Sequence, residues 1–217
     1  MSQTATQKFL VAHKKPVKAG LLLVAAAALL APPLIVVLAP APTQDTWTSI
    51  MRASGFLAFT LIFMNMVTGP LSRWFCLVFK PKHMKRFHIA TGVSGFALAV
   101  LHGTIVFTMH HYRDHPATWL IGPITLGLMI VTIGVAAERK RLPQVWRRIH
   151  QLNYPIFVAV YIKAMLIGTN ITASNAAAYA LGTIISLEML VVILATASRI
   201  RTAVKAPARR PVQAEAD

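Results

Sequence analysis

The sequence contains little charge, and acidic residues are especially scarce. Charged residues make up 13% of the 217 residues, with only six Asp and Glu against 22 Lys and Arg. Hydrophobic residues make up 56%, which is typical of a polytopic membrane protein and excludes an ordinary soluble domain. The basic residues lie between apolar segments, so they indicate membrane topology and no nucleic-acid partner is expected.

Cysteine and nucleotide-binding motifs are also nearly absent. The single Cys76 excludes an internal disulfide. No Cys-x-x-Cys-His occurs, so any haem must be held non-covalently. The chain also lacks a P-loop and a Gly-x-Gly-x-x-Gly motif, and no nucleotide site is visible.

Six apolar segments are long enough to predict an all-α fold, an integral membrane bundle of six helices. They cover about residues 20–38, 48–71, 86–110, 119–137, 145–168 and 176–198. Residues 19–200 are therefore predicted to form one transmembrane domain, after a polar segment at 1–18 and before a disordered tail at 201–217. A cleaved signal peptide is the alternative for the first segment, but Pro32 and Pro33 interrupt an unusually long apolar run.

Lysine and arginine are distributed unequally between the two sets of loops. Four basic residues lie in the amino-terminal segment. Five lie in each of three further regions: the loop between the second and third spans, the loop between the fourth and fifth spans, and the tail. The opposite loops hold only Arg113. Nineteen against one predicts that both termini are cytoplasmic. We expect a multi-pass protein of a bacterial inner membrane, surrounded by lipid, whose third and fifth spans run in the same direction.

The third span carries two histidines in an otherwise apolar segment. His88 and His102 are fourteen residues apart, which places them roughly 21 Å apart along a helix and about 40° apart around it. An ionisable side chain inside a span indicates a functional site. Two imidazoles on one face, one in each leaflet, favour two stacked cofactors. Structural histidines that bond neighbouring helices are the alternative.

The fifth span repeats this arrangement at its cytoplasmic end. His150 and His88 are expected at the same depth when the two spans are parallel, and a pair of neutral imidazoles suits the axial positions of a b-type haem. Arg86, Arg147 and Arg148 lie beside this pair and are candidates to bind the haem propionates. Membrane anchoring by the positive-inside rule explains these arginines equally well.

At the depth of His102, which we call the outer level, the fifth span offers no matching histidine. The residue at the depth of His102 on the fifth span is Lys163, thirteen residues after His150. A deprotonated lysine can bind iron, and Pro155 can reorient the outer half of the helix; snorkelling of Lys163 to the surface is the simpler alternative. Arg52 and three loop histidines share the outer side, and together they are candidates to bind a quinone head group, the phosphate of a flavin such as FMN, or a partner. Ordinary interfacial residues are the alternative for each of them. These loop histidines are His110, His111 and His115.

Three segments resemble the ferric-reductase-like transmembrane domain family. They read FHIATGVSGFALAVLHG in the third span, VWRRIHQLNYPIFVAVYI in the fifth and MRASGFLAFTLIFMNMVTGPLSRW in the second, and the resemblance covers roughly residues 45–200. In size the chain is most similar to the haem-binding membrane subunit of the bacterial periplasmic methionine-sulfoxide reductase system. The resemblance implies an inner haem on His88 and His150 and an outer haem on His102, with Lys163 where a second outer histidine is expected.

The resemblance further implies a transmembrane b-type cytochrome that binds one or two haems. Its electrons would come from quinol or a cytoplasmic flavin reductase and pass to a periplasmic redox partner. Only about twenty residues follow the sixth span, so we expect an electron-transfer subunit and not a self-sufficient enzyme. A quinone-linked cytochrome b subunit of a dehydrogenase or hydrogenase is one alternative. A non-redox transporter or assembly protein with structural histidines is the other.

Overall fold

The computed structural model describes residues 5–39, 45–109, 119–168, 171, 173 and 175–205. All regular secondary structure in these residues is helical. Nine helices follow the chain within the described residues, and we label them α1 to α9 in that order. Their bounds are Ala5–Ala12, Lys14–Leu38, Thr46–Thr68, Ser72–Val78, Pro81–Thr108, Ile121–Ala137, Pro143–His150, Asn153–Ile167 and Ala176–Lys205.

Four of these helices are long and apolar enough to cross a membrane: α2, α3, α5 and α9. Helix α6, the fourth predicted span, is apolar but has only 17 residues. Helix α2 continues through Pro32 and Pro33, as expected where neighbouring helices can satisfy the freed carbonyls. The structure therefore agrees with an all-helical, multi-pass membrane protein.

The fifth predicted span is divided into α7 and α8 by a turn at Gln151 and Leu152. The cause is Pro155, because a proline ring clashes with the carbonyl four residues earlier, which here belongs to Gln151. Pro155 itself lies in the first turn of α8, where a missing N–H costs little. The sequence predicted that this proline reorients the span, and the structure places the break one turn before it.

Helix α3 lies at the centre of the bundle and packs against α2, α5, α8 and α9. Its most extensive contact is with α5, which runs antiparallel to it. Gly95 permits the close approach, because a Cβ there would lie 3.3 Å from the backbone nitrogen of Ile62. Gly92 packs in the same way against the Asn65 amide. These small residues thus serve contact between helices.

The beginning of α2 and the end of α9 lie at the same end of the bundle. Lys18 at the start of α2 lies over the ring of Phe79, 5.8 Å from its centroid. Arg199 near the end of α9 approaches Gly69 at the end of α3. Two short helices that the sequence did not predict, α1 and α4, contact each other at this end. Helix α9 continues through Lys205, and the rest of the predicted tail lies outside the described residues.

Candidate functional site

The structure brings His88 and His150 together from different helices. Their ring centroids are 6.1 Å apart, with an angle of 65° between the ring planes. His88 lies two turns into α5, and His150 is the last residue of α7. Trp146 packs one turn before His150, with ring centroids 5.4 Å apart. The two imidazoles therefore lie at one depth, as the sequence predicts.

Thr68 fixes the orientation and the tautomer of His88. The Thr68 hydroxyl donates to the Asn65 carbonyl at 2.6 Å and lies 2.7 Å from His88 Nδ1. Because a hydroxyl has one proton and the carbonyl can only accept, His88 Nδ1–H must be the donor in the second contact. The other nitrogen of His88, Nε2, then carries an unprotonated lone pair.

Asn153 and Thr132 form the corresponding group beside His150. Oδ1 of Asn153 lies 3.1 Å from the Thr132 hydroxyl, and Nδ2 of Asn153 lies 3.2 Å from His150 Nδ1. Thr132 Oγ1 also donates to the Met129 carbonyl at 2.9 Å, so its one proton is not available to Asn153. Rotating the Asn153 amide by about 180° exchanges Oδ1 and Nδ2, two atoms that are nearly indistinguishable by shape. In that second orientation Nδ2 would donate to Thr132 and Oδ1 would accept the Nδ1–H of His150, whereas in the orientation of the structure Nδ2 faces His150 Nδ1.

This arrangement fits two axial ligands of one metal. A metal bound through one nitrogen of each ring, at about 2 Å from each nitrogen, would hold the ring centroids roughly 6 Å apart. In metal sites the ligating histidine commonly donates its second ring N–H to a neighbouring oxygen, which orients the ring and raises its basicity. At His88 Nδ1 the neighbouring group is the Thr68 hydroxyl, and at His150 Nδ1 it is the Asn153 amide. Two imidazoles are the number of protein ligands that an iron porphyrin takes.

His102 occupies a second level on the same helix. Because α5 is continuous from Pro81 to Thr108, the predicted spacing between the two histidine levels is preserved. His102 Nδ1 donates to the Met51 carbonyl at 2.8 Å, and its ring packs on Gly55, where a Cβ would lie 2.9 Å from Nδ1. His102 thus has the same tautomer as His88, with Nε2 unprotonated.

Lys163 lies near this outer level, on α8. Its Nζ packs against Gly122 at the beginning of α6, where a Cβ would lie 2.5 Å from it. It is also near enough to His102 for a positive charge on Lys163 to act on the imidazole. The structure therefore places the two predicted outer residues in one region, without a direct hydrogen bond between them.

The predicted arginines have no single role in the structure. Arg86, Arg147 and Arg148 are exposed near the inner histidine pair, as both propionate binding and membrane anchoring require. Arg52 is half-buried one residue after Met51, and its charge interacts with that of Asp45. The loop histidines His110, His111 and His115 lie outside the described residues, so their expected position near Arg52 stays a prediction.

Four polar residues beside the histidines were not identified as site residues from the sequence. Asn65 donates to the His88 carbonyl at 2.5 Å, and Thr68, Thr132 and Asn153 form the contacts given above. The available signal was their polarity within apolar segments, because polar side chains in spans hydrogen-bond to neighbouring helices. Spacing adds a second signal for Asn153, which follows His150 by three residues and so would share a face with it if the predicted fifth span were one continuous helix.

Comparison of the chain with protein-family models gave no match, and comparison with curated proteins and with solved structures gave none either.

Proposed function

We propose that the chain is an integral membrane b-type cytochrome of six spans with both termini in the cytoplasm. One haem would be bound near the cytoplasmic face by His88 and His150. The observation that carries this proposal is the pair of imidazoles 6.1 Å apart, each with a hydrogen-bonding side chain at Nδ1. Such a partner at the second ring nitrogen is what ligating histidines commonly have.

The protein's contribution is to hold and orient the ligands in a medium of low dielectric constant. A haem bound here supplies an iron that cycles between the ferric and ferrous states. Thr68 and Asn153 bond to Nδ1 of His88 and of His150, which orients the two rings and leaves Nε2 of each on the opposite edge. Trp146 packs beside His150 and restricts its ring. Arg86, Arg147 and Arg148 are the candidates for binding the propionates.

A second haem at the outer level is proposed on His102, with Lys163 as the candidate second ligand. The spacing supports it, because a single relay near one face leaves most of the ~30 Å hydrocarbon core uncrossed. Electrons would enter from quinol or a cytoplasmic flavin reductase and leave to a redox partner on the periplasmic side. Arg52 is the proposed contact for a quinone head group or an FMN phosphate. In this reading the chain is an electron-transfer subunit.

The test is the reduced-minus-oxidised absorbance spectrum of the purified protein, together with its haem content. We expect a low-spin b-type spectrum that loses one haem in His88→Ala and also in His150→Ala. His83→Ala is the matched control, because His83 is an exposed histidine near the start of α5 and should leave the spectrum unchanged. A normal low-spin signal in both ligand variants would contradict the assignment.

The same spectrum, together with the proteins that co-purify, separates the alternatives. A colourless preparation after reconstitution with haem would favour a non-redox transporter or assembly protein, in which His88, His102 and His150 serve only the hydrogen bonds that they form with Thr68, Met51 and Asn153. A quinone-linked cytochrome b subunit would show the same haem spectrum and would be identified by co-purification with its dehydrogenase or hydrogenase partner.

A further inference from the structure

Helix α9 carries a carboxyl group in the interior of the bundle. Glu188 is 5% exposed, and its Oε1 accepts a hydrogen bond of 3.0 Å from Thr60, which is fully buried. The other carboxyl oxygen, Oε2, is buried without a hydrogen-bonding partner among the described residues. A charged carboxylate in this position would be costly unless it were paired. An ionisable residue inside a membrane span is a functional-site hypothesis by default.

The position of Glu188 in the bundle relates it to both histidine levels. Its partner Thr60 is five residues from Gly55, which contacts His102, and five from Asn65, which bonds to His88. Five residues of helix correspond to about 7.5 Å. Thr60 therefore lies midway in depth between the two levels, on the side of α3 that faces α9.

No basic side chain offsets a negative charge at this position. Helix α9 packs against α2, α3 and α8, and within the described residues Glu188 forms no ion pair with Lys163 or any other basic side chain. The Tyr161 hydroxyl of α8 bonds to Ser186, two residues before Glu188, at 3.1 Å. The titratable groups on α9 itself are Tyr179, Arg199, Arg201 and Lys205. The remaining titratable groups of the three helices are Lys14, Lys15, Lys18, Arg52, Tyr154 and Lys163.

We propose that the Glu188 carboxyl, held by Thr60, is a proton-binding site inside the membrane whose proton occupancy is partial before reduction and rises when haem held at the histidine levels is reduced. When one electron from quinol or a reduced flavin enters, a Glu188 side chain that is still ionised takes one proton from water at Oε2. When that electron leaves to the acceptor, the O–H bond breaks and the proton returns to water. The coupling is electrostatic, because an added electron favours a neighbouring proton across a medium of low dielectric constant. This coupling rests on the proposed function, whereas the proton-binding site itself does not.

Infrared absorption of the full-length protein in lipid vesicles tests the site directly. A neutral carboxyl group has a C=O stretching band that is separate from the amide bands and shifts in heavy water. We expect this band in the chemically reduced protein, a weaker band in the oxidised protein, and loss of the band in Glu188→Gln. A wild-type protein without the band, or a Glu188→Gln variant that retains it, would overturn the proposal.

Two threonine variants keep the test independent of whether Glu188→Gln folds. Thr60→Val removes the donor to Oε1, so the carboxyl band should move to higher frequency. Thr196→Val is the matched control, because Thr196 Oγ1 is the other buried unpartnered side-chain oxygen in the described part of α9, and a hydroxyl does not titrate here. Equal spectra for Thr60→Val and wild type would contradict the contact.

Failure of the two proposals can be distinguished. If the protein binds no haem, the cytochrome proposal fails, but a titratable carboxyl band that Glu188→Gln removes would still establish the proton-binding site. If haem binds and the band does not change between the oxidised and reduced protein, the coupling is wrong and the cytochrome proposal stands. If haem binds and the band changes, the pH dependence of the midpoint potential should be lost in Glu188→Gln.

Discussion

At the scale of single residues, the tautomer of a histidine is set by the group beside its second nitrogen. For His150 that group is Asn153, which is oriented in turn by Thr132. We expect Asn153→Leu to lower haem affinity at the inner site by about 10- to 100-fold, the usual cost of removing such a partner. Asn153→Asp, which keeps an oxygen acceptor, should lose less. Titration of the apoprotein with haem measures both.

The control for this prediction is Thr125→Val. Thr125 is a buried threonine on α6 whose hydroxyl bonds to two carbonyls of its own helix, at 2.7 Å and 2.9 Å. Its replacement should leave haem affinity unchanged. Equal affinities for Asn153→Leu and wild type would show that Asn153 does not position His150.

Lys163 is the residue at which the outer site can be tested separately. If it is a ligand beside His102, Lys163→Met should change the absorbance and potential of one haem and leave the other haem unaffected. Lys163→His should give a spectrum of two bis-histidine haems, because imidazole is the usual partner for imidazole at such iron sites. Spectra and redox titrations that match wild type in both variants would show that Lys163 only approaches the surface beside Gly122.

At the scale of helices, the sequence predicts which segments form long helices better than it predicts where a helix is broken. Apolar length alone places α2, α3, α5 and α9, since crossing a bilayer demands it. The break before α8 was not predicted at Gln151, although Pro155 causes it, because a proline can kink, end or merely perturb a membrane helix. The long apolar spans therefore follow from the sequence, whereas the division of the fifth span before Pro155 depends on its surroundings as well.

The residues of the candidate site also fall into two groups, those that the sequence identifies and those that only the structure identifies. His88, His102 and His150 are visible in the sequence, because each is an ionisable residue in or beside an apolar segment. Thr68 and Asn153 are not distinguished from other polar residues until the antiparallel pairing of neighbouring helices is known. Which side of a helix faces which neighbour depends on packing, and periodicity supplies no answer where most faces contact lipid.

The contact between α3 and α5 is the element on which both histidine levels depend. Gly95 lies where a Cβ would be 3.0 Å from Ile62 Cγ1 and 3.2 Å from Leu61 Cβ. Gly95→Leu should separate the helices and cost about 1–3 kcal/mol of stability, as overpacking typically does. It should also reduce haem content at both levels, because the Nδ1 partners of His88 and His102 lie on α3. Thermal unfolding and haem content of the purified variant measure the two effects.

Gly127→Leu is the matched control for that variant. A Cβ at Gly127 meets nothing within 4 Å, so the larger side chain should be accommodated with little loss of stability. Full haem content in Gly95→Leu would show that the histidine levels do not require the close packing of α3 on α5.

At the scale of the whole molecule, the orientation in the membrane is tested by the protein's own cysteine. Cys76 is the only cysteine in the chain and is exposed on α4, at the end of the bundle where Lys18 meets Phe79. Because nineteen of twenty loop and terminal basic residues are assigned to this side, the positive-inside rule places Cys76 in the cytoplasm. A membrane-impermeant maleimide should therefore label it in inverted vesicles and not in right-side-out vesicles.

A second variant, Cys76→Ser with Trp47→Cys, moves the thiol to an exposed position near the start of α3 and should give the opposite result. Labelling of wild-type protein in right-side-out vesicles would reverse the orientation, and the His88–His150 pair would then face the periplasm.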